Sequence, residues 1–140
     1  MSQLRRDPIL GRWVIISSDR TLRPTDFRPR RDYRPPEGFC PFCSGNEYTT
    51  PPELLAVRQE GSSPDSEGWS LRVVPNKFPA LVIEGRLSRS TDNEMLQTMN
   101  GIGAHEVIIE SPLHNATLPS MSTGQIAAVL GAFGERITDL

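Results

Sequence analysis

Apolar residues in this chain fall into short clusters separated by long polar, proline-bearing stretches. Arg12-Trp13-Val14-Ile15-Ile16 is rich in β-branched and aromatic residues, follows the turn-like Asp7-Pro8-Ile9-Leu10-Gly11 and precedes polar Ser17-Ser18-Asp19-Arg20, which predicts a first strand. Residues 23–39 carry Pro24, Pro29, Pro35 and Pro36 and read as an extended loop, since proline suits neither a helix interior nor a central strand. Glu53 to Val57 is short enough for a helical turn or a strand. Gly61 to Gly68 is a flexible turn, after which Trp69-Ser70-Leu71-Arg72-Val73-Val74 alternates and stops at Pro75, predicting a second strand. Pro79 to Glu84 predicts another. Residues 85–101 are polar and contain glycine, serine and asparagine, and read as a mobile connection.

His105-Glu106-Val107-Ile108-Ile109-Glu110 is the strongest strand signal, ended by Pro112. Ser122 with Gln125 has the spacing of a capping box, and Ile126, Val129, Leu130, Phe133 and Ile137 follow at helical spacing to give an amphipathic helix. Strands first, long loops between them and one clear helix last predict an α+β fold with an antiparallel sheet. No internal repeat or heptad array is visible.

Composition tempers this picture. A length of 140 residues suits one domain with its own core, but 36% hydrophobic residues, 13 prolines and 11 glycines imply much loop. No apolar run approaches the ~18 residues of a membrane span, and the N-terminus lacks the apolar stretch of a signal peptide, so a cytoplasmic protein is expected. The net charge of −2 hides an asymmetry: residues 1–34 carry nine arginines against four acids, and the remainder six basic residues against thirteen acids. Lys77 is the only lysine. Planar arginine forks favour bidentate capture of phosphate or carboxylate, and the competing reading is a solvated basic face.

The only two cysteines form Cys40-Pro41-Phe42-Cys43. Two thiolates at this spacing can reach one tetrahedral zinc at ~2.3 Å around a tight turn. In a reducing compartment the alternatives are a redox pair or two unconnected thiols rather than a structural disulfide. Redox chemistry of the thioredoxin type places the pair at a helix start, and Ser44 to Pro52 cannot continue a helix. The remaining ligand candidates are the only histidines, His105 and His114. Held on an extended chain they lie roughly 25–30 Å apart, so both reach one metal only if the chain bends sharply. His114, after Ser111-Pro112-Leu113 at a strand end, suits a ligand, and His105 within the strand suits packing or hydrogen bonding. Arg20 and Arg23, three residues apart, could converge on a diphosphate or stand as exposed loop residues. Asn76 follows a strand end, where an amide can meet a base or ribose edge. No Gly-x-Ser-x-Gly elbow, Walker loop or His-x-His pair is present, and Gly101-Ile102-Gly103-Ala104 lacks a dinucleotide fingerprint.

Five ordered segments together carry a resemblance: Arg6 to Pro24, Cys40 to Glu47, Arg72 to Leu81, Gly103 to His114 and the closing helix. They resemble the N-terminal half of the galactose-1-phosphate uridylyltransferase family, within the histidine-triad superfamily. The resemblance implies a half-barrel antiparallel sheet with long loops and the C-terminal helix packed on it. It implies a ping-pong transfer through a uridylyl-histidine, between UDP-glucose and a hexose 1-phosphate, in a protein that is a homodimer when complete. It assigns a structural zinc to Cys40, Cys43 and His114, phosphate contacts to Arg20 and Arg23, and the nucleoside pocket to Phe42, Val74 and Asn76.

The family's nucleophile, and a fourth zinc ligand, come from a His-Pro-His-x-Gln segment that this sequence does not contain. Residues 1–140 are therefore expected to be one N-terminal domain, incomplete at its C-terminus and without a catalytic residue of its own. The Cys-Pro-Phe-Cys loop and the Glu-Val-Ile-Ile-Glu-Ser-Pro run also look close to ADP-glucose phosphorylases, in which adenylate is carried and ADP-glucose is the nucleotide sugar. The competing class is a non-enzymatic zinc module that binds nucleic acid through the arginine-rich segment. Only Trp13, Phe27 and Tyr33 interleave with those arginines for stacking, and the overall acidity opposes it.

Overall fold

In the computed structural model, which describes residues 2–16, 38–93 and 96–140, the elements run β1 (Gln3–Arg6), β2 (Trp13–Ile16), β3 (Leu55–Arg58), β4 (Trp69–Pro75), β5 (Arg89–Asn93), β6 (Leu96–Asn100), β7 (Glu106–Ile109) and α1 (Thr123–Asp139). The chain divides into two compact units, Met1–Arg31 with Phe78–His105, and Asp32–Lys77 with Glu106–Leu140. Each unit holds one open antiparallel sheet, and α1 packs on the second, giving the expected α+β class. Most of the loop over 23–39, and Arg20 and Arg23 with it, lie outside the described residues. No described helix is long and apolar enough to cross a membrane.

The first unit's sheet has the order β2-β1-β6-β5. Asp7 closes the β1–β2 hairpin by accepting from the Ile9 N–H at 2.9 Å, an arrangement in which a short carboxylate replaces a backbone turn partner. Register places Leu4 between Ile15 and Met99 on one face. On that face the Arg89 guanidinium lies 5.8 Å over the Trp13 ring, and Arg6 donates to Gln97 at 3.0 Å.

Two expectations change here. Residues 79–84 form no strand; Val82 makes a single parallel bridge to Ile102, donating to Gly101 O and accepting from Gly103 N, each at 2.9 Å. Gly85, at φ +145°, turns the chain where an added Cβ would stand 2.7 Å from Ile102 Cδ1. Residues 85–101, expected to be mobile, hold the β5–β6 hairpin instead, with β6 bonded to β1. Among the described residues its side chains leave no buried apolar face, so the pairing rests on the backbone ladder and left no apolar alternation to detect.

The second unit is built around β4, whose Leu71, Val73 and Val74 are all 1% exposed or less. Leu71 and Val73 pack with Val129 and Ala132 of α1, joined by Leu55 and Ile108. Trp69, Val74 and Ile109 form a separate cluster with Val107. Arg72 is also buried, its charge met by Glu53 and Asp65 at 2.9 Å each, while its guanidinium stands 5.7 Å over Trp69. A buried cation is tolerated because both partners and the ring face replace its water.

Helix α1 is pinned at both ends. Ser122 caps it, accepting from the Gln125 N–H at 3.2 Å, but the reciprocal half of the expected capping box is absent. The Gln125 side chain instead donates to the carbonyls of Ser70 and Glu110, at 2.8 and 2.6 Å. At the far end Arg136 grips Glu106 through two 2.8 Å bonds. The two pins match in length, since residues 106–110 span ~13 Å of strand and residues 125–136 span ~16 Å of helix. They also fix the rotation. Gln125, Val129, Ala132 and Arg136 share the packed stripe, so of the residues expected to be core Val129 is buried, while Leu130 and Ile137, ~100° further round, are left 64% and 75% exposed.

Glu47, 5% exposed, ties the loop after the cysteines to this core, accepting from Trp69 Nε1 at 2.6 Å and from the Gly45 N–H at 3.0 Å. Burial pushes its carboxyl up, but the bonds from Trp69, from its own N–H and from Gly45, together with the Arg72 charge, outweigh burial and hold it below the usual carboxylate range.

Replacing Gln125 by alanine leaves two part-buried carbonyls without their amide donor and is expected to cost about 1 kcal/mol or more in urea unfolding; an unchanged midpoint contradicts the pinning role. Because the folded-state carboxyl of Glu47 is depressed, its stabilisation is complete above its unfolded value and is lost as pH falls through the folded one. The Tm gap between wild type and Glu47→Gln, measured in chelator, should shrink from about pH 6 to about pH 3. A gap independent of pH contradicts this assignment.

Candidate metal centre

Two segments of the second unit meet at the cysteine loop. The Cys40–Cys43 turn is closed by the Cys43 N–H on the Cys40 carbonyl at 3.4 Å, and Gly45 supplies φ +92° where a side chain would be strained. The second segment leaves β7, and Pro112 forbids its continuation as a ladder strand. There Leu113 N–H donates to Ser111 Oγ at 3.1 Å and Ala116 N–H to Leu113 O at 3.1 Å, a turn that projects His114.

The donor atoms of Cys40, Cys43 and His114 lie within 4.8 Å of one another, and Cys43 Sγ is 3.3 Å from His114 Nδ1. A tetrahedral zinc with sulfur at ~2.3 Å and nitrogen at ~2.0 Å places its ligands roughly 3.4–3.8 Å apart, so the three donors fit with little movement. Both cysteines are free thiols and half-buried, whereas His114 is exposed. Burial and the neighbouring Cys40 push the Cys43 thiol above its ordinary range. A divalent cation would displace the thiol protons and remove that penalty. No other such His/Cys/Asp/Glu cluster occurs among the described residues.

Around the cluster is a cleft of about 280 Å³ lined by Phe42, Ile108, Glu110 and Met121 as well as the three ligands. Phe42 is 41% exposed and able to meet a ligand there. Val74 and Asn76 lie in the same unit but not beside the cluster. Antiparallel pairing sets Arg72 opposite Ile109 and Pro75 opposite Glu106, so Asn76 and His114 stand beyond opposite ends of the β4–β7 ladder. Val74 is 1% exposed within the Trp69–Ile109 cluster. His105 belongs to the first unit, where its Nδ1 accepts from the Ala80 N–H at 2.9 Å, the hydrogen-bonding role expected of it.

Residues overlooked in the sequence surround the cysteines. Asn46 donates through Nδ2 to the Cys40 carbonyl at 2.7 Å and through its N–H to the Cys43 carbonyl at 3.2 Å. Their signal was a Gly-Asn-Glu directly behind the second cysteine, where an amide and a carboxylate have the reach to brace the turn.

A family model described as the N-terminal domain of galactose-1-phosphate uridyl transferase matches residues 1–140. An ADP-glucose phosphorylase of Arabidopsis thaliana is 37% identical over 148 residues, covering 99% of this chain and 39% of that protein. A galactose-1-phosphate uridylyltransferase of Cryptococcus neoformans is 29% identical over 133 residues, covering 90% of this chain and 32% of that protein. The crystal structure of an Arabidopsis thaliana ADP-glucose phosphorylase with bound ADP-glucose superposes with a TM-score of 0.50 at 34% identity, over 99% of this chain and 38% of that one. The chain thus spans 39% and 32% of the length of these two curated relatives. With the match running from end to end, the chain belongs to the galactose-1-phosphate uridyl transferase family, through that family's N-terminal domain.

Proposed function

We propose that this chain is the zinc-holding, nucleotide-contacting part of an enzyme that transfers a nucleotidyl group between a nucleotide sugar and a sugar phosphate. The observation that carries this is the meeting of Cys40, Cys43 and His114 within 4.8 Å in a chain matched throughout by the family. Two thiolates and an imidazole select a borderline-soft cation, and zinc is the redox-inert member of that class. When bound, it would cross-link the cysteine loop to the turn after β7, a structural role that suits its place beyond the opposite end of the ladder from Asn76.

The protein's own residues would then divide the substrate. Arg20 and Arg23 would hold the nucleotide phosphates through paired guanidinium bonds, and the family resemblance assigns Phe42, Val74 and Asn76 to the nucleoside pocket, Val74 as buried packing and Phe42 from the cleft at the metal end. Neither histidine of the sequence lies in a His-x-His motif: His114 faces Cys43, and His105 accepts from Ala80. The family resemblance assigns attack on the α-phosphorus in a ping-pong cycle to a His-x-His-x-Gln motif, which residues 1–140 do not contain. We place the whole protein in the cytoplasm as a homodimer.

Uridylyl transfer, with UDP-glucose as donor and hexose 1-phosphate as acceptor, is the first reading. An adenylyl reading with ADP-glucose gains support from the 37% identity to an ADP-glucose phosphorylase, against 29% to a uridylyltransferase. Titrating the zinc-loaded chain with UDP-glucose and ADP-glucose separates them by the tighter ligand. Arg20→Ala with Arg23→Ala should weaken either by about tenfold or more, as expected for lost charged phosphate bonds. The chain alone should show no UMP exchange between UDP-glucose and glucose 1-phosphate. Turnover by the chain alone, or salt-sensitive nucleic-acid binding without affinity for either nucleotide sugar, contradicts the proposal.

A further inference from the structure

We infer that Asn46 and Glu47 are positioning residues for the metal centre, holding the two thiols at clamp spacing before a cation arrives. Because both act through the cysteine loop, this deepens the metal-site reading above and rests on it.

The geometry is specific. Asn46 holds both ligand-bearing residues by their carbonyls, Cys40 through its side-chain Nδ2 at 2.7 Å and Cys43 through its backbone N–H at 3.2 Å. Among the described residues the Cys40 carbonyl otherwise receives only the longer 3.4 Å bond from the Cys43 N–H, so Asn46 makes the shorter of these two contacts. Asn46 is in turn held from behind, its carbonyl accepting from Thr49 Oγ1 at 2.7 Å.

Glu47 anchors that assembly to rigid structure. Its carboxylate accepts from the Gly45 N–H at 3.0 and 3.2 Å, two residues past Cys43, and from Trp69 Nε1 at 2.6 Å. Trp69 is 4% exposed on β4 and stands beneath the buried Arg72, which Glu53 and Asp65 fix. The loop is thus attached through one carboxylate to the most buried strand of the unit. A ligand pair supported in this way loses little conformational freedom when it binds, which raises affinity without adding a contact to the metal.

The opposing view is that both residues only stabilise the fold. Zinc and cobalt(II) affinities of the full 140-residue chain, measured by chelator competition, distinguish the two when paired with the Tm of the metal-free chain. Asn46→Ala and Glu47→Gln are expected to weaken both metals about 10–100-fold, the range typical of residues that orient ligands. Asn46→Gln restores a side-chain amide and should recover part of the loss, whereas Asn46→Asp, which places a carboxylate against the Cys40 carbonyl, should not. The thiolate-to-cobalt absorption should persist in every variant at saturating metal, since no ligand has been removed. Variants that bind within about twofold of wild type while losing Tm overturn the inference and leave the metal site standing. A wild-type chain that binds neither metal overturns the metal-site reading itself.

Discussion

Strand β4 is buried on both faces, and the rest of the second unit depends on how each face is satisfied. One face is apolar and is covered by Val129 and Ala132 of α1. The other carries Arg72, a charge that can be buried only because Glu53, Asp65 and the Trp69 ring surround it. That requirement fixes Trp69, whose indole N–H then needs an acceptor and finds Glu47. The chain of obligations ends at the cysteine loop, so the position of the thiols follows from the burial of an arginine three contacts away, through Trp69, Glu47 and Gly45.

The same strand sets the second ligand segment. Pairing of β4 with β7 delivers Ser111 to His114 to the end of the sheet where the cysteine loop is tethered. Gln125 closes that end by donating to the carbonyls of Ser70 on β4 and of Glu110 just past β7, and Arg136 closes the other by gripping Glu106. Helix, strand pair and loop therefore form one frame around the three donors. Of the residues proposed for the nucleoside pocket, Phe42 stands in the cleft beside the metal donors, whereas Val74 and Asn76 lie at the other end of that frame.

Much of this was legible in the chain itself, for identifiable reasons. The strands at Trp13, Trp69 and Glu106 announce themselves through β-branched and aromatic residues, and α1 through its period and its serine cap. The Cys40–Cys43–His114 set was legible because cysteine and histidine are so scarce that few combinations exist. What escaped were features that depend on partners distant in sequence. The β5–β6 hairpin has no apolar alternation, since its pairing is carried by backbone bonds to β1. The buried face of α1 was legible only in part: Val129 is core as its spacing predicts, but polar Gln125 and Arg136 lie on the packed stripe and turn Leu130 and Ile137 outward. Asn46 and Glu47 look like ordinary loop residues until the carbonyls of the cysteines and the Trp69 indole are placed beside them.

The central claim is that the fold itself assembles a sulfur-rich metal centre from two segments 71 residues apart. X-ray absorption at the zinc edge, on the purified chain loaded with one equivalent of zinc, tests it most directly. The predicted result is two sulfur scatterers at ~2.3 Å with at least one imidazole nitrogen at ~2.0 Å, the sulfur shell halved in Cys43→Ser and the imidazole signal lost in His114→Ala. A first shell of oxygen and nitrogen alone, or one unchanged by either substitution, would contradict it.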